Sequence, residues 1–109
     1  MTLLTPTDFK VPMLDGKARE RNGLSFTVPS LGGLYRLAVH KCGPDSCIVS
    51  DFRTGLKISH EWTGDPKEAA LGVVDMVKVG ALDVHRVMEA ARAFPTINRP
   101  LREREEVTA

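Results

Sequence analysis

The sequence predicts an α+β protein in which a four-stranded antiparallel meander carries two C-terminal helices packed on one face. Two observations predict this class. Residues 24–62 contain short runs of alternating apolar and polar side chains separated by turn residues, whereas residues 65–94 contain apolar side chains at helical spacing. Because the strands precede the helices instead of alternating with them, the helices are expected to cover one face of an antiparallel sheet.

An irregular N-terminal arm is predicted over residues 1–23, because two prolines and two glycines interrupt it. A short basic cluster in this arm is offset by two acidic residues and is interpreted as a solvated loop; it consists of Lys17, Arg19 and Arg21. The single globular domain is expected to span residues 24–94. A mobile charged tail is predicted over residues 95–109, which have few apolar side chains to bury.

Four strands are predicted, over residues 24–28, 34–42, 47–52 and 56–62. In the first of them, apolar and polar side chains alternate strictly until Pro29 ends the strand. The turn at residues 43–46 has Pro44 and Asp45 at its centre, which suits a type I turn. In the next turn Gly55 can take a positive φ. These short turns predict that consecutive strands pair with each other.

The turn lengths also predict a register and therefore the two faces of the sheet. Closing the hairpin at residues 43–46 places Cys42 opposite Cys47 and His40 opposite Val49. The core face is then expected to carry Tyr35, Leu37, Val39, Ile48, Phe52, Leu56, Ile58 and Trp62. The other face is expected to be solvated and to carry Arg36, His40, Cys42, Cys47, Asp51, Lys57, Ser59 and Glu61.

Two helices are predicted after the sheet. The first begins with Asp65 as its N-cap, Pro66 at the first helical position and Glu68 three residues after the cap. The second begins after Asp83, and Pro95 lies beyond its end. The apolar stripes that should face the sheet are Ala69, Ala70, Val73, Met76 and Val77 in the first helix and Val84, Val87, Met88, Ala91 and Phe94 in the second.

The composition limits the classes of function. The net charge is +1, from 15 basic and 14 acidic residues, so the chain lacks the overall basic excess of many nucleic-acid-binding proteins. No apolar run is long enough for a transmembrane helix, and the first residues lack the pattern of a secretory signal. With two cysteines and no such signal, the protein is expected to stay reduced in the cytoplasm and to have no membrane partner.

One cluster has the residue types of a zinc site. In the predicted register His40, Cys42 and Cys47 share the solvated face, and Glu61 lies across from Cys47. Zinc binds imidazole, thiolate and carboxylate groups in tetrahedral geometry. Structural zinc sites usually contain paired short-spaced motifs, however, and the Cys-x4-Cys spacing occurs once here, so free thiols or a cross-strand disulfide are the alternatives. No cofactor is therefore expected, with zinc as the alternative.

The helical pair resembles a helix-turn-helix in outline, which makes a DNA- or RNA-binding regulator one alternative function. Its contacts would come from His85, Arg86 and Arg92 in and near the second helix. The polar sheet face is the alternative nucleic-acid surface, with Arg36, Lys57 and Arg53 in the turn after the third predicted strand. Two helices packed on a sheet explain the same pattern without nucleic acid, and Glu89 would repel a phosphate.

Neither a nucleophile turn nor a glycine-rich phosphate loop is recognisable in the sequence. We therefore expect a small non-enzymatic accessory or regulatory protein that binds another protein. An inhibitor of host machinery encoded by a phage or mobile element would fit this description, and a second copy of the chain is an alternative partner. The expected interface is the polar sheet face, with Arg36, His40, Lys57, Ser59 and Glu61.

Overall fold

A computed structural model describes residues 4–13, 15–30, 33–58 and 61–98 of the chain. The described elements are β1 (Thr5–Pro12), β2 (Ala18–Ser30), β3 (Gly33–Gly43), β4 (Ser46–Asp51), β5 (Trp62–Thr63), α1 (Pro66–Lys78) and α2 (Val84–Ala91). The strands form one antiparallel sheet in the order of the sequence. The predicted α+β class and meander are confirmed, with five strands instead of four.

The N-terminal segment differs from the irregular arm that the sequence predicts. Residues 5–12 form the edge strand β1, and residues 18–25 of β2 pair with it. Thr7, Phe9 and Val11 are buried while their neighbours are exposed, which is the period-two pattern of a half-buried strand. Pro6 and Pro12 suggest a loop in the sequence, but an edge strand accommodates proline because one side of its backbone needs no ladder partner.

The main core lies between the sheet and α1. Its fully buried sheet residues include Phe26, Val28, Leu37, Val39, Cys47 and Val49, and α1 contributes Ala69, Ala70, Val73 and Val74. The predicted placement of Tyr35, Leu37 and Val39 on the core face is confirmed. Small residues let the helix approach closely: a β-carbon on Gly72 would lie 2.9 Å from the Trp62 ring.

The register of β3 with β4 differs by one residue from the predicted one. Lys41 lies opposite Cys47 and Val39 opposite Val49, with an irregularity between Lys41 and Gly43. The extra residue of a bulge shifts the pairing, and a shift of one residue moves every side chain of the strand to the other face. Cys47 therefore lies in the core beneath α1 instead of on the predicted polar face, and Asp51 lies opposite Leu37 on the same side.

The second face of the sheet is covered, which contradicts the predicted solvated face. Phe9, Val11, Ala38 and Phe52 form a second buried cluster there, with Met13 packed against it. Phe52 was expected in the main core, but the turn after β4 carries it across the sheet to β1. The β1 strand covers this face, whereas the sequence interpretation assigned these residues to an irregular arm.

Residues 97 and 98 form hydrogen bonds with β1 and with the turn after β4, next to the second buried cluster. The Asn98 amide donates to the carbonyl oxygens of Lys10 (2.8 Å) and Phe52 (2.9 Å), and its oxygen accepts from the Lys10 amide (2.7 Å). The amide of Ile97 donates to the Arg53 carbonyl oxygen at 2.8 Å. The predicted mobile tail is thus wrong for these two residues, and residues 99–109 lie outside the described part of the chain.

The predicted fourth strand is much shorter than residues 56–62. Lys57 forms an isolated bridge with Ser50, the Ile58 amide donates to the Val49 carbonyl oxygen at 3.0 Å, and β5 contains two residues. The predicted pairing of Phe52 with Leu56 is also shifted, because the amide of Asp51 donates to Leu56. Residues 59 and 60 lie outside the described residues.

Both predicted helices are confirmed. In α1, Asp65 accepts from the Glu68 amide and the Glu68 side chain accepts from the Asp65 amide, so the capping box forms as predicted. In α2, Asp83 accepts from the Arg86 amide. Phe94 lies beyond the end of α2 and is 47% exposed, so it is not part of the predicted apolar stripe.

Neither α1 nor α2, the helices of the described residues, is long and apolar enough to cross a membrane.

Candidate functional sites

The residues predicted to form a polar interface do not share one open surface. His40 is only 5% exposed, and its ring makes an edge-to-face contact with Phe9, with the ring centroids 5.6 Å apart. Arg36 is half-buried, whereas Lys57 and Glu61 are exposed. Ser59 lies outside the described residues. The interface predicted on this face is wrong for His40, because β1 covers it.

The predicted zinc ligands are also separated. Cys47 lies in the helix-side core, where its thiol donates to the Gly64 carbonyl oxygen at 3.3 Å, and burial raises the pKa of that thiol. Cys42 is exposed and contacts Glu61, with 3.5 Å between Sγ and Oε1. His40 packs against Phe9 on the face of the sheet opposite Cys47. The one-residue bulge at Cys42 causes this separation, and no group of three His, Cys, Asp or Glu side chains within the described ranges is placed to hold a metal.

One concave site lies between the sheet and α2, and we call it the α2 groove. It encloses about 450 Å³ and is lined by Thr27, Leu34, Tyr35, Arg36, Asp51, Phe52, Arg53, Met88, Ala91 and Arg92. Two residues of the nucleic-acid hypothesis, Arg53 and Arg92, line this groove, whereas His85 and Arg86 are exposed on α2 outside its lining. The structure therefore brings only two of the four predicted nucleic-acid contacts to the groove.

Asp51 is the acidic residue of the α2 groove, and it is bound internally. It accepts from the Tyr35 hydroxyl at 2.7 Å and from the Thr54 amide and hydroxyl at 2.9 and 2.6 Å. Burial, with the neighbouring Asp51 carboxylate, raises the pKa of Tyr35 and keeps its hydroxyl protonated as a donor. These bonds make Asp51 a structural residue rather than a free acid in the groove.

Three arginines line the groove, and each makes different contacts. The Arg53 guanidinium donates to the carbonyl oxygens of Ala91 (2.7 Å) and Phe94 (3.1 Å), so it caps the end of α2. Arg36 donates to the Ser25 hydroxyl at 3.1 Å and lies over the Phe52 ring, 5.7 Å from its centroid. Arg92 is exposed and makes an ion pair of 3.2 Å with a glutamate one helical turn earlier.

A second concave site opens beside the end of β1, and we call it the β1 pocket. It encloses about 600 Å³ and is lined by Val11, Pro12, Met13, Arg21, His40, Lys41, Cys42, Ile48, Gly55, Leu56 and Lys57. The sequence interpretation missed Arg21 because it treated residues 1–23 as a loop. The alternation of Thr7, Phe9 and Val11 was the available signal: it predicts a strand, and the structure pairs that strand with β2 so that Arg21 lies opposite Phe9.

Comparison with known proteins assigns neither a family nor a function to the chain. Neither a family model, nor a curated protein, nor a solved structure matches this chain. Its function must therefore follow from the chemistry of the α2 groove and the β1 pocket.

Proposed function

We propose that the protein is a non-enzymatic binding module whose α2 groove receives an acidic segment with apolar anchor residues from a partner protein. The observation that carries this proposal is a concave apolar surface bordered by three arginines, Arg36, Arg53 and Arg92. The proposal keeps the protein partner expected from the sequence and moves the interface from the polar sheet face to the groove.

The apolar surface of the groove supports anchoring by a large side chain. Tyr35, Phe52, Met88 and Ala91 contribute to its lining. At its edge Leu34 is 73% exposed, although it belongs to a strand. An exposed large apolar residue beside an apolar concavity is typical of a binding surface, because contact with a partner removes both from water.

The charges around the groove favour an acidic partner. The carboxylate of Asp51 is buried and its oxygens accept hydrogen bonds from internal donors, so it does not occupy the guanidinium groups of the arginines; the lining therefore holds three cations and one anion. Arg36 and Arg92 retain guanidinium N–H groups beyond the Ser25 hydrogen bond of Arg36 and the Glu89 ion pair of Arg92, and a guanidinium can donate two parallel hydrogen bonds to a carboxylate. The exposed ion pair of Arg92 contributes little stability and can be exchanged for one with a partner.

A peptide fits the groove better than a nucleic acid does. Single-stranded nucleic acids bind by stacking bases on accessible aromatic faces next to cations. Tyr35 and Phe52 are 8% and 3% exposed, so their rings present edges of a packed wall and little stacking surface. The exposed apolar side chain of Leu34 would also remain uncovered beneath a phosphate backbone.

A peptide-display selection tests the proposal. Random twelve-residue peptides are selected on the wild-type protein, and enriched peptides are measured by fluorescence anisotropy. We expect enriched peptides to combine Asp or Glu with large apolar residues. Leu34→Ser and Arg92→Gln should each weaken their binding by about 1–2 kcal/mol, roughly tenfold, because one removes an apolar contact and the other a charged hydrogen bond.

Two exposed residues outside the groove provide matched controls. Val79→Ser removes an apolar side chain that is 78% exposed after α1, and Arg86→Gln removes a charge on α2. Both controls should bind the selected peptides as the wild type does. Equal loss in the controls, or wild-type affinity in Leu34→Ser and Arg92→Gln, would contradict the proposal. A preference for oligonucleotides that falls steeply with salt would instead support the nucleic-acid alternative.

A further inference from the structure

The β1 pocket is a second site, independent of the α2 groove. It is formed by the end of β1, the strands β2, β3 and β4, and residues 55–57. Its volume of about 600 Å³ falls within the range of roughly 300–1,000 Å³ that is typical of small-molecule sites. Residues of five separate chain segments meet there, so the site exists only in the folded protein.

Two cationic residues, Arg21 and Lys57, line this pocket on the same side of the sheet, and no acidic residue is among its lining residues. Arg21 comes from β2 and lies opposite Phe9, and Lys57 follows β4 and lies opposite Ser50. Lys41 also borders the pocket, but it lies opposite Cys47 of the helix-side core. The ion pair found within the described residues, between Arg92 and Glu89, lies elsewhere. Lys57 is exposed and Arg21 is half-buried, so their charges remain available to an incoming group. Two cations from different segments suit an anion with more than one negative charge.

His40 adds a buried polar atom to the wall. The exposed fraction of His40 is 5%, and its Nδ1 has no hydrogen-bond partner among the described residues. Buried polar atoms of native proteins nearly always have a partner. Burial and the neighbouring Arg21 charge lower the pKa of His40, so the ring is neutral at pH 7. His40 also lines the pocket, so one wall of the site contains a buried ring whose hydrogen-bonding capacity is not fully used by the described residues.

The remaining wall is apolar. Val11, Met13, Ile48 and Leu56 line it beside the charged residues. An inorganic anion would leave this surface in contact with water, whereas an organic body attached to the anion would cover it. The combination of cations and apolar wall therefore defines a ligand with two chemically different ends.

We infer that the β1 pocket binds a small organic phosphate, with the phosphate group near Arg21 and Lys57 and the organic body against the apolar wall. A phosphate monoester carries about two negative charges at pH 7 and several acceptor oxygens, which can bind cations that approach from different directions. The neutral ring of His40 adds a hydrogen-bonding group that becomes a donor of two N–H bonds once the phosphate favours its protonation.

The test uses phenyl phosphate as the probe. It is titrated into the full chain, labelled with ¹⁵N, at constant ionic strength set with sodium chloride. Amide resonances of Arg21, His40–Cys42 and Leu56–Lys57 are expected to shift together with one dissociation constant. Inorganic phosphate should bind at the same residues about tenfold more weakly, since burying a phenyl ring contributes on the order of that factor. Phenol, which lacks the anion, should cause no such shifts.

Variants locate the site. Arg21→Gln and Lys57→Gln should each weaken phenyl phosphate binding by about tenfold, the loss expected for one charged hydrogen bond. Lys67→Gln, which removes an exposed charge on α1, should bind as the wild type does. The His40 imidazole resonances give an independent readout: the bound dianion should raise the pKa of His40, and Lys67→Gln should preserve that rise.

Three results would overturn the inference. The first is the absence of saturable shifts with phenyl phosphate. The second is wild-type affinity in Arg21→Gln and Lys57→Gln when their spectra are those of a folded protein. The third is equal affinity for inorganic phosphate and phenyl phosphate, which would exclude the role of the apolar wall. Loss of peptide binding at the α2 groove leaves all three readouts unchanged, because the two sites share no lining residue.

Discussion

Asn98 offers the sharpest test of how the second face of the sheet is closed. Its side chain is 7% exposed and makes three hydrogen bonds, two to Lys10 and one to Phe52. Asn98→Ala removes all three and leaves one backbone amide and two backbone carbonyl groups without this partner. If each hydrogen bond contributes about 1 kcal/mol net, the free energy of unfolding should fall by about 3 kcal/mol.

Asn98→Asp should be more damaging than Asn98→Ala, although it is nearly isosteric. It replaces the donating amide nitrogen with an oxygen, so a carboxylate oxygen faces the carbonyl oxygens of Lys10 and Phe52. Burying that charge without a donor adds to the loss of the hydrogen bonds. The order of stability should therefore be wild type, then Asn98→Ala, then Asn98→Asp, at pH 7.

Urea unfolding followed by the fluorescence of Trp62 measures these changes, because the protein contains one tryptophan. A loss of about 3 kcal/mol corresponds to a fall in Tm of roughly 10 °C for a domain of this size. Asn22→Ala is the matched control: its amide also donates a side-chain hydrogen bond, to Asp8, but the pair is exposed. We expect that control to change stability by about 0.5 kcal/mol or less. An Asn98→Ala variant as stable as the control would refute the closing role of Asn98.

Three further predictions concern stability. Gly55→Ala should cost about 2 kcal/mol or more, because φ is +73° and a β-carbon would lie 2.4 Å from a carbonyl oxygen of β1. Gly16→Ala, at φ +82° in open space, should cost only about 1 kcal/mol in the same urea assay. Tyr35→Phe should lower stability by about 1–2 kcal/mol through loss of its buried bond to a carboxylate, with unchanged secondary structure by circular dichroism. Because the pKa of His40 is lowered in the folded protein, the unfolded chain binds a proton at a higher pH than the folded chain does. The free energy of unfolding should therefore be highest above pH 6.5 and decrease below it. In His40→Gln, the urea midpoint should decrease less than that of the wild type between about pH 7.5 and 5.

Local signals predicted the helices well. Asp65, Pro66 and Glu68 determine the start of α1 through contacts within four residues, and Asp83 does the same for α2. The apolar alternation of Tyr35, Leu37 and Val39 was equally local, and their common face follows from strand geometry alone. These features depend on neighbours in the sequence, so one sequence contains enough information to predict them.

The errors have a common physical cause. One additional residue at Cys42 moves Cys47 from the predicted polar face into the core, and no residue type near the turn required that bulge. The β1 pocket likewise depends on packing between segments that are distant in the sequence. Arg21 and Lys57 lie far apart in the sequence and meet only because β1 and the turn after β4 close over one face. Register and closure are decided by packing between distant segments, which periodicity does not record.

The bond between Lys10 and Asn98 joins residues separated by 88 positions, and this separation has a consequence for synthesis on the ribosome. At a translation rate of about 5–20 residues per second, Lys10 of β1 leaves the exit tunnel roughly 4–18 s before Asn98 does. During that interval Phe9 and the unpaired edge of β1 are accessible to chaperones or to neighbouring nascent chains. The final closing step is therefore expected to occur late and to be the part of biogenesis most sensitive to slow translation.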